Sequence, residues 1–473
     1  MPKDRRQLYV GPRLRRARRD LGLTQAELAE GLEISPSYVA LLERNQRPLT
    51  ADLLLRLAAA YNVDVAALAG DGADEATRLQ AVLKDPIFSG IDLPALESAD
   101  VATNFPGITE ALLRLYTTYQ HEQLALADRA AEAHAGAAGA EAADPVDESR
   151  AFLAARRNCF PGLDDAAERL ARAVEEHESL AGYLMARHGL RTRRLPPERM
   201  VGSIRRLDRH GRQVLLSDGL DAASQKFQLA LQVAYLEMGG EIGEALAGGR
   251  FASDSGERLT RRALASYAAA ALLMPYAAFA RAAEARRYDV EALARQFGAS
   301  FEQTAHRLTT LQKPGHERVP FFFIRVDPAG NVSKRLDGAG FRFARHGGGC
   351  PLWSVHTAFR TPREIVTQWL ELPDGQRFFS IARTVTAGGG AFGAPRVERA
   401  IALGCAAEHA DRLIYTAGGP GGPGGAEAAT PIGVTCRLCQ RTECAARSEP
   451  PMGRQILADD IRRTSLPFGF SDA

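Results

Sequence analysis

Tryptophan occurs twice in 473 residues, and cysteine only six times. So few cysteines exclude a small scaffold stapled by disulfides in place of a core. Neither sign of charge predominates. The 59 Lys and Arg nearly balance the 57 Asp and Glu, leaving a net +2, so the chain as a whole is not a polycation. Nor is there a long, strongly apolar run. The nearest approach is "LASYAAAALLMPYAAFA" at 264–280, which is mostly alanine, contains Pro275 and is flanked by Arg261, Arg262 and Arg281. It falls short of the roughly 20 strongly apolar residues that a membrane span needs, and a buried core helix is expected instead. The N-terminal end is charged and lacks the apolar segment of a signal peptide. The expectation is a cytoplasmic protein without a membrane partner, where thiols stay reduced and clustered cysteines serve as metal ligands.

The length allows about two to four domains. Charge is placed unevenly along them. Residues 1–20 carry Lys3, Arg5, Arg6, Arg13, Arg15, Arg16, Arg18 and Arg19 against Asp4 and Asp20, a balance that favours phosphate contacts. Hydrophobic spacing then divides the chain into a helical module at 8–70, a helical segment at 78–130, a linker at 131–148 and a mainly helical region at 149–312. The remainder, 313–473, alternates strand and turn signals. "VPFFFIRVD", the turn "PAGN" and "VSKRLD" read as one hairpin; "IVTQWLEL", "PDG" and "QRFFSIARTV" read as a second. "RVERAIALG" and "RLIYTA" suggest further strands around a short helix, and "GGPGGPGG" at 418–425 reads as a flexible connector. The fold class is therefore multidomain α+β: an all-α N-terminus, a helical middle and an α+β C-terminal domain with antiparallel hairpins and a cysteine-ligated metal site.

The N-terminal module carries the clearest local signals. Thr24 caps a second helix, with Glu27 three residues on as a capping box. Ser35 caps a third, with Pro36 at its first position, and Thr50 caps a fourth. Leu14, Leu28, Leu32, Val39, Leu42 and Leu57 are among the residues that would close the core. A helix, short turn and helix of this kind places the second helix in the major groove of DNA. Its outward positions Ser35, Ser37 and Tyr38 suit base-edge contact, Gln25 can reach a phosphate or a base, and Arg44, Asn45 and Arg47 suit phosphates. The stretch resembles the lambda-repressor and Cro-like helix-turn-helix modules. One such module is small, so a homodimer or higher homo-oligomer on a paired operator site is expected.

Three cysteines fall close together in "PIGVTCRLCQRTEC": Cys436, Cys439 and Cys444, spaced C-x2-C-x4-C. Zinc sites more often pair two C-x2-C knuckles, and only one is present. Three close cysteines with one distant partner suit an iron–sulfur cluster, with zinc as the alternative. Cys405, just before the flexible connector, is the expected fourth ligand; Cys350 is the other candidate. Cys159 reads as a small buried residue.

The region around 224–308 resembles the ImmA/IrrE-type metallopeptidase-like domain, most strongly in "AAALLMP" and "DVEALARQFGAS". The resemblance implies His-Glu-x-x-His on the first helix, where this chain has Leu231, Gln232 and Tyr235, and a later glutamate where it has Leu264. Leucine binds no zinc and glutamine accepts no proton from water, so a non-enzymatic domain is expected and a zinc-dependent peptidase is disfavoured. Taken with "RRNCFPGLD", "ALLMPY", "CPLWSVHTAF", "ALGCAAEHADRLIY" and "PIGVTCRLCQRTEC", nearly the whole chain resembles the short-chain fatty acyl-CoA regulators of bacteria. That resemblance implies a transcription factor binding operator DNA, a short-chain acyl-CoA effector and, in some members, a four-iron four-sulfur cluster. Trp353, His356 and Phe359 are the expected liners of the acyl-CoA pocket. A redox or iron sensor without acyl-CoA input is the alternative function.

Overall fold

The computed structural model describes residues 11–44, 46–61, 73–88, 95–134, 144–336, 338–343, 349–389, 392–416 and 429–452, with short pieces to Phe470. Asn45 and the connector at 418–425 lie outside the described residues. The N-terminal module contains α1 (Gly11–Asp20), α2 (Gln25–Gly31), α3 (Pro36–Glu43) and α4 (Ala51–Tyr61). The Thr24–Glu27 capping box is formed, and Ser35 Oγ accepts from the Tyr38 amide. Leu14, Leu28, Leu32, Val39, Leu42 and Leu57 close a core that belongs to this module alone.

Three helices follow: α5 (Ala73–Leu83), α6 (Ala95–Asn104) and α7 (Pro106–His134). The expected linker at 131–148 is narrower than its composition suggests. Helix α7 runs to His134, α8 begins at Pro145 behind an Asp144 cap, and 135–143 lie outside the described residues.

The middle region holds α8 (Pro145–Ala155), α9 (Pro161–Glu175), α10 (Leu180–His188), α11 (Pro197–Met200), α12 (Ala222–Glu237), α13 (Gly239–Ala247), α14 (Asp254–Leu273), α15 (Tyr276–Ala285), α16 (Val290–Phe297) and α17 (Phe301–Leu308). The apolar stretch 264–280 is indeed core. Leu264, Ala268 and Ala271 are fully buried in α14, and the chain bends by 67° at the break before α15, where proline removes a helix amide. Among the described residues no single helix is long and apolar enough to cross a membrane. The region also contains a three-stranded sheet of order β1-β3-β2, from Arg191–Leu195, Arg205–Asp208 and Gln213–Ser217. Hydrophobic spacing does not reveal β1 and β2, because both are arginine-rich and neither has a buried residue, whereas β3 is buried over most of its length.

The C-terminal region is built on a six-stranded sheet of order β5-β4-β8-β7-β6-β9. The two predicted hairpins are β4 (Phe322–Val326) with β5 (Val332–Leu336), and β6 (Val366–Glu371) with β7 (Arg377–Gly388). Strand β8 (Arg396–Ala406) joins them, and β9 (Thr430–Pro431) pairs in parallel with β6. "RLIYTA" is not a strand but two short 3-10 turns, Ala407–Arg412 and Ile414–Thr416.

Side chains alternate across this sheet with a period of two. Phe323, Phe379, Ile381, Ile401, Leu403 and Cys405 face the helices, packing with Phe279, Tyr288, Leu293 and Leu308. Phe322, Ile324, Phe378, Ala400 and Ala402 face the other way, against Phe341, Cys350, Trp353 and Ile432. The middle helices and the sheet thus share one core across the expected boundary near residue 312. A buried ion pair ties the helices together beneath it: Arg307 Nη2 lies 2.7 Å from Asp164 Oδ1, and both side chains are fully buried.

Candidate nucleic-acid interface and cysteine site

Sequence places seven residues at the DNA-facing side of the N-terminal module, and their settings differ. Ser37, Arg44 and Arg47 are exposed. Ser35 is exposed, but its hydroxyl is engaged in capping α3 at 3.2 Å. Tyr38 is half-buried and packs on the module's core, so it is partly a core residue. Asn45 lies outside the described residues. Gln25 is not free to reach a base, because its amide donates to Glu43 Oε2 at 2.7 Å. Glu43 is 2 % exposed and also receives Arg18 Nε at 2.6 Å and Arg15 Nε at 3.4 Å. Side-chain spacing alone could not foresee this hub, since Glu43's partners lie 18 to 28 residues before it.

Two outcomes follow for this module. Arg44→Ala should weaken binding to all DNA sequences alike and reduce the salt slope by about one; titration of affinity against salt checks it. Burial pushes the Glu43 carboxyl up, but bonds from Arg18 and Gln25 and the charges of Arg18 and Arg15 prevail and hold it below its ordinary 4.5. A carboxylate with a depressed folded pKa stabilises above its unfolded value and loses that contribution as pH falls through the folded one. Exchange protection over 11–61, taken relative to the intrinsic rate at each pH, should therefore fall below about pH 4.5 in wild type, and less steeply in Glu43→Gln.

In the middle region, the four positions matched to a peptidase's zinc ligands and base carry no metal-binding chemistry. Leu264 is fully buried and Leu231 packs on the same cluster. Gln232 Oε1 accepts from Arg205 Nη1 at 2.8 Å, and the Arg205 guanidinium lies 5.2 Å from the Tyr235 ring centre. A guanidinium stands beside these positions, its pKa lowered by burial.

The cysteines give the sharpest departure from expectation. Cys436, Cys439 and Cys444 line one pocket together with Cys350, Gly433, Arg441 and Arg447. Cys405 is not there. It is fully buried on β8 opposite Phe379, and strand alternation turns it to the helix-packed face, away from the cysteine loop. Burial pushes its thiol up to about 12, so it stays protonated. The fourth cysteine of the pocket is therefore Cys350.

The loop is shaped around these thiols. A Cβ on Gly433 would stand 2.9 Å from Cys439 Sγ, so only glycine fits without displacement. Arg447, 4 % exposed, donates to the carbonyls of Cys436 and Cys439 at 2.9 Å and of Arg441 at 2.6 Å. Ser448 Oγ donates to Cys436 Sγ at 3.3 Å. Burial raises the pKa of Cys350 and Cys439. Backbone hydrogen bonding from Gly433 and Leu352 opposes the rise at Cys350, and that from Arg441, with the charges of Arg447 and Arg441, opposes it at Cys439. Among the described residues no three His, Cys, Asp or Glu side chains stand as a ready single-ion set; the thiols surround the pocket rather than one point.

Among the described residues, Trp353 and Phe359 are packed into the core of the sheet. Trp353 is 4 % exposed, donates to Ser380 Oγ at 3.3 Å and packs 5.2 Å from the Phe341 ring. Phe359 packs on the same core, and His356 is half-buried, its pKa lowered by burial. The large cleft lies elsewhere. It has a volume of about 880 Å³ and is lined by Arg156, Phe160, Leu163, Arg169, Glu241 and Glu244, among others. The motif "RRNCFPGLD" marks its rim, but nothing in that motif's spacing predicts a cavity.

The chain's relatives match these parts in order. A helix-turn-helix model matches residues 14–68, an IrrE N-terminal-like domain 185–309, and the C-terminal region of short-chain fatty acyl coenzyme A regulators 310–468. The propionyl-CoA carboxylase regulator of Cereibacter sphaeroides is 40 % identical over 98 % of this chain and 99 % of its own. The chain belongs to the short-chain fatty acyl-CoA regulator family. The HTH-type transcriptional regulator RamB of Mycobacterium tuberculosis is 38 % identical over 97 % of this chain and 98 % of its own; PrpR of the same organism is 35 % identical over 98 % and 96 %. A solved Mycobacterium tuberculosis transcriptional regulator aligns with TM-score 0.64 and 36 % identity, covering 69 % of this chain and 99 % of that one. This family member is thus a DNA-binding transcriptional regulator and not an enzyme.

Proposed function

We propose that this regulator reads operator DNA as a homodimer or higher homo-oligomer in the cytoplasm, takes a short-chain acyl-CoA as effector, and holds an iron–sulfur cluster on Cys350, Cys436, Cys439 and Cys444. The observation that carries the cluster reading is the meeting of Cys350 with the triplet in one pocket. A four-iron four-sulfur cluster would take one thiolate on each of its four irons, so the thiolates would stand farther apart than four ligands on one zinc ion. Thiols arranged around a pocket suit the cube better. Backbone amides at the sulfurs, with Arg441 and Arg447 beside them, suit the negative charge of a thiolate-bound cluster. Bound there, it would supply a redox-active cross-link between the Cys350 turn and the C-terminal loop.

The best seat for the effector is the cleft beside α9. Coenzyme A needs cations for its phosphates and an apolar slot for its acyl end; Arg156 and Arg169 supply cations in a cleft shared with Asp165, Glu241 and Glu244, and Phe160 and Leu163 lie in its wall. A relative named for propionyl-CoA carboxylase supports a short acyl chain. The test is anaerobic purification with iron, sulfide and zinc analysis, followed by DNA-shift titration against acyl-CoA thioesters of increasing length. Iron and sulfide in near-equal amounts and a shift that depends on acyl-CoA support the reading. Zinc alone in the wild-type protein would remove the redox role, and a shift that answers only to oxygen would favour a redox sensor.

A further inference from the structure

The cysteine loop and the helices that follow the DNA-binding module in the sequence contact the same short turn. That turn, 372–376, joins β6 to β7, with Gly375 in the left-handed region at φ 75°. On one side lies the cysteine loop. Ile432 N donates to Glu371 O at 2.9 Å, and Arg441 Nη2 donates to the carbonyls of Glu371 at 2.9 Å and Leu372 at 3.2 Å. On the other side lie α5 and α7. The Gly375 Cα faces Arg78 of α5 so closely that an added Cβ would stand 3.2 Å from Arg78 Cγ. Asp374 forms a buried ion pair with Arg342, whose Nη2 also donates to Thr117 Oγ1 of α7 at 3.3 Å. A small cavity beneath is lined from all three parts: Tyr116 and Gln120 of α7, Asp374 of the turn, and Val434 and Leu438 of the cysteine loop.

Helices α5 and α7 are packed as one unit: Val82, Leu113 and Tyr116 share a cluster, and Tyr116 and Gln120 both donate to Asp85. Only residues 62–72 separate α4 from α5, a span of at most ~40 Å. Docking of α5–α7 on the turn therefore bounds where the DNA-binding module can stand.

We propose that the 372–376 turn is a relay: a folded cysteine loop holds it in the shape that seats α5–α7, and loss of that fold releases the helices and alters DNA binding. Arg342 is a positioning residue here, acting through Asp374 and Thr117. The proposal rests on the reading that a metal group orders the cysteine loop. It explains why a site at the C-terminal end bears on a module at the opposite end of the sequence. Leu438 sits between two of the proposed ligands and reaches the cavity against α7, so a rearrangement of the loop changes that contact directly.

The test compares hydrogen exchange of α7 peptides (106–120) and operator affinity in wild-type, Thr117→Arg and Arg342→Met full-length protein, with iron bound and with iron removed. Thr117→Arg sets a like charge against Arg342 from the helix side and leaves the cysteine loop intact. In wild type, α7 exchange should quicken on iron removal, and affinity should change by about 5–150-fold, the usual range of coupling. In Thr117→Arg, α7 should exchange fast in both states at unchanged iron content, and the affinity difference should collapse. Arg342→Met should do the same if Thr117→Arg fails to fold. Unchanged α7 protection in iron-free wild type, or a full affinity difference in a variant with freed helices, overturns the relay. If wild type binds no iron, the parent reading fails, and the Cys436→Ser/Cys444→Ser pair then decides the relay by the same α7 exchange. Fast exchange in that pair supports it, and slow exchange ends it.

Discussion

Cys350→Ser should strip the protein of its iron, while Cys405→Ser should leave iron content and brown absorbance unchanged. The difference is expected to be large. Losing an outer-shell partner costs about 10–100-fold in metal affinity, and losing a direct ligand, the role proposed for Cys350, should cost more. Serine keeps the size of the side chain but offers no soft thiolate, so the loss reports on ligation rather than on packing. Cys405→Ser instead puts a hydroxyl among Ile401, Leu403 and Phe379. Its cost should appear in stability alone, because an unpaired hydroxyl in an apolar site is penalised by about 1–3 kcal/mol. Iron analysis and denaturant titration on the same two preparations separate the effects. Iron retained in Cys350→Ser would remove this residue from the ligand set.

Asp164→Ala should be among the most damaging single changes in the chain. Arg307 is fully buried; it donates to Asp164, to Thr310 Oγ1 at 2.9 Å and to the Met274 carbonyl at 3.1 Å. Tyr267 donates to the other Asp164 oxygen at 2.7 Å. Burial works against the guanidinium's charge, but the Asp164 carboxylate and Tyr267 outweigh it and raise its pKa. Removing Asp164 leaves a desolvated cation without a counter-charge, a change that typically costs 3–5 kcal/mol, or about that much here. Chemical denaturation should show the loss. A Asp164→Leu/Arg307→Leu double variant should recover much of it, since apolar residues of similar size often replace buried pairs without net cost.

The parts of this architecture that show in the sequence are those with local causes. Thr24 with Glu27, and Ser35 with Pro36, mark helix starts through bonds within a few residues, and the structure forms them as read. The two hairpins show through their turns, "PAGN" and "PDG". The fourth cysteine does not show, and the reason is physical. The run "AIALGCA" is buried on both faces of a central strand, so it lacks the polar alternation that would disclose which way Cys405 points. Trp353 is ambiguous for a related reason: an aromatic in a turn is compatible with a ligand wall or with a core, and its packing on Phe341 and its bond to Ser380 are contacts of a core. The Glu43 hub and the cleft beside α9 depend on residues far apart in sequence, which no local pattern encodes.

The shared core between the middle helices and the six-stranded sheet bears on how such regulators can diversify. A cut near residue 312 would expose Phe279 and Leu308 on one piece and Phe323, Phe379 and Leu403 on the other, and both fragments would be prone to aggregate. The N-terminal module closes its own core and would lose nothing comparable on separation. Recombination between relatives can therefore swap the DNA-reading end and give a new target gene to an old signal. The middle and C-terminal regions have to be inherited whole, so new preferences must arise by substitution inside them rather than by exchange of their halves.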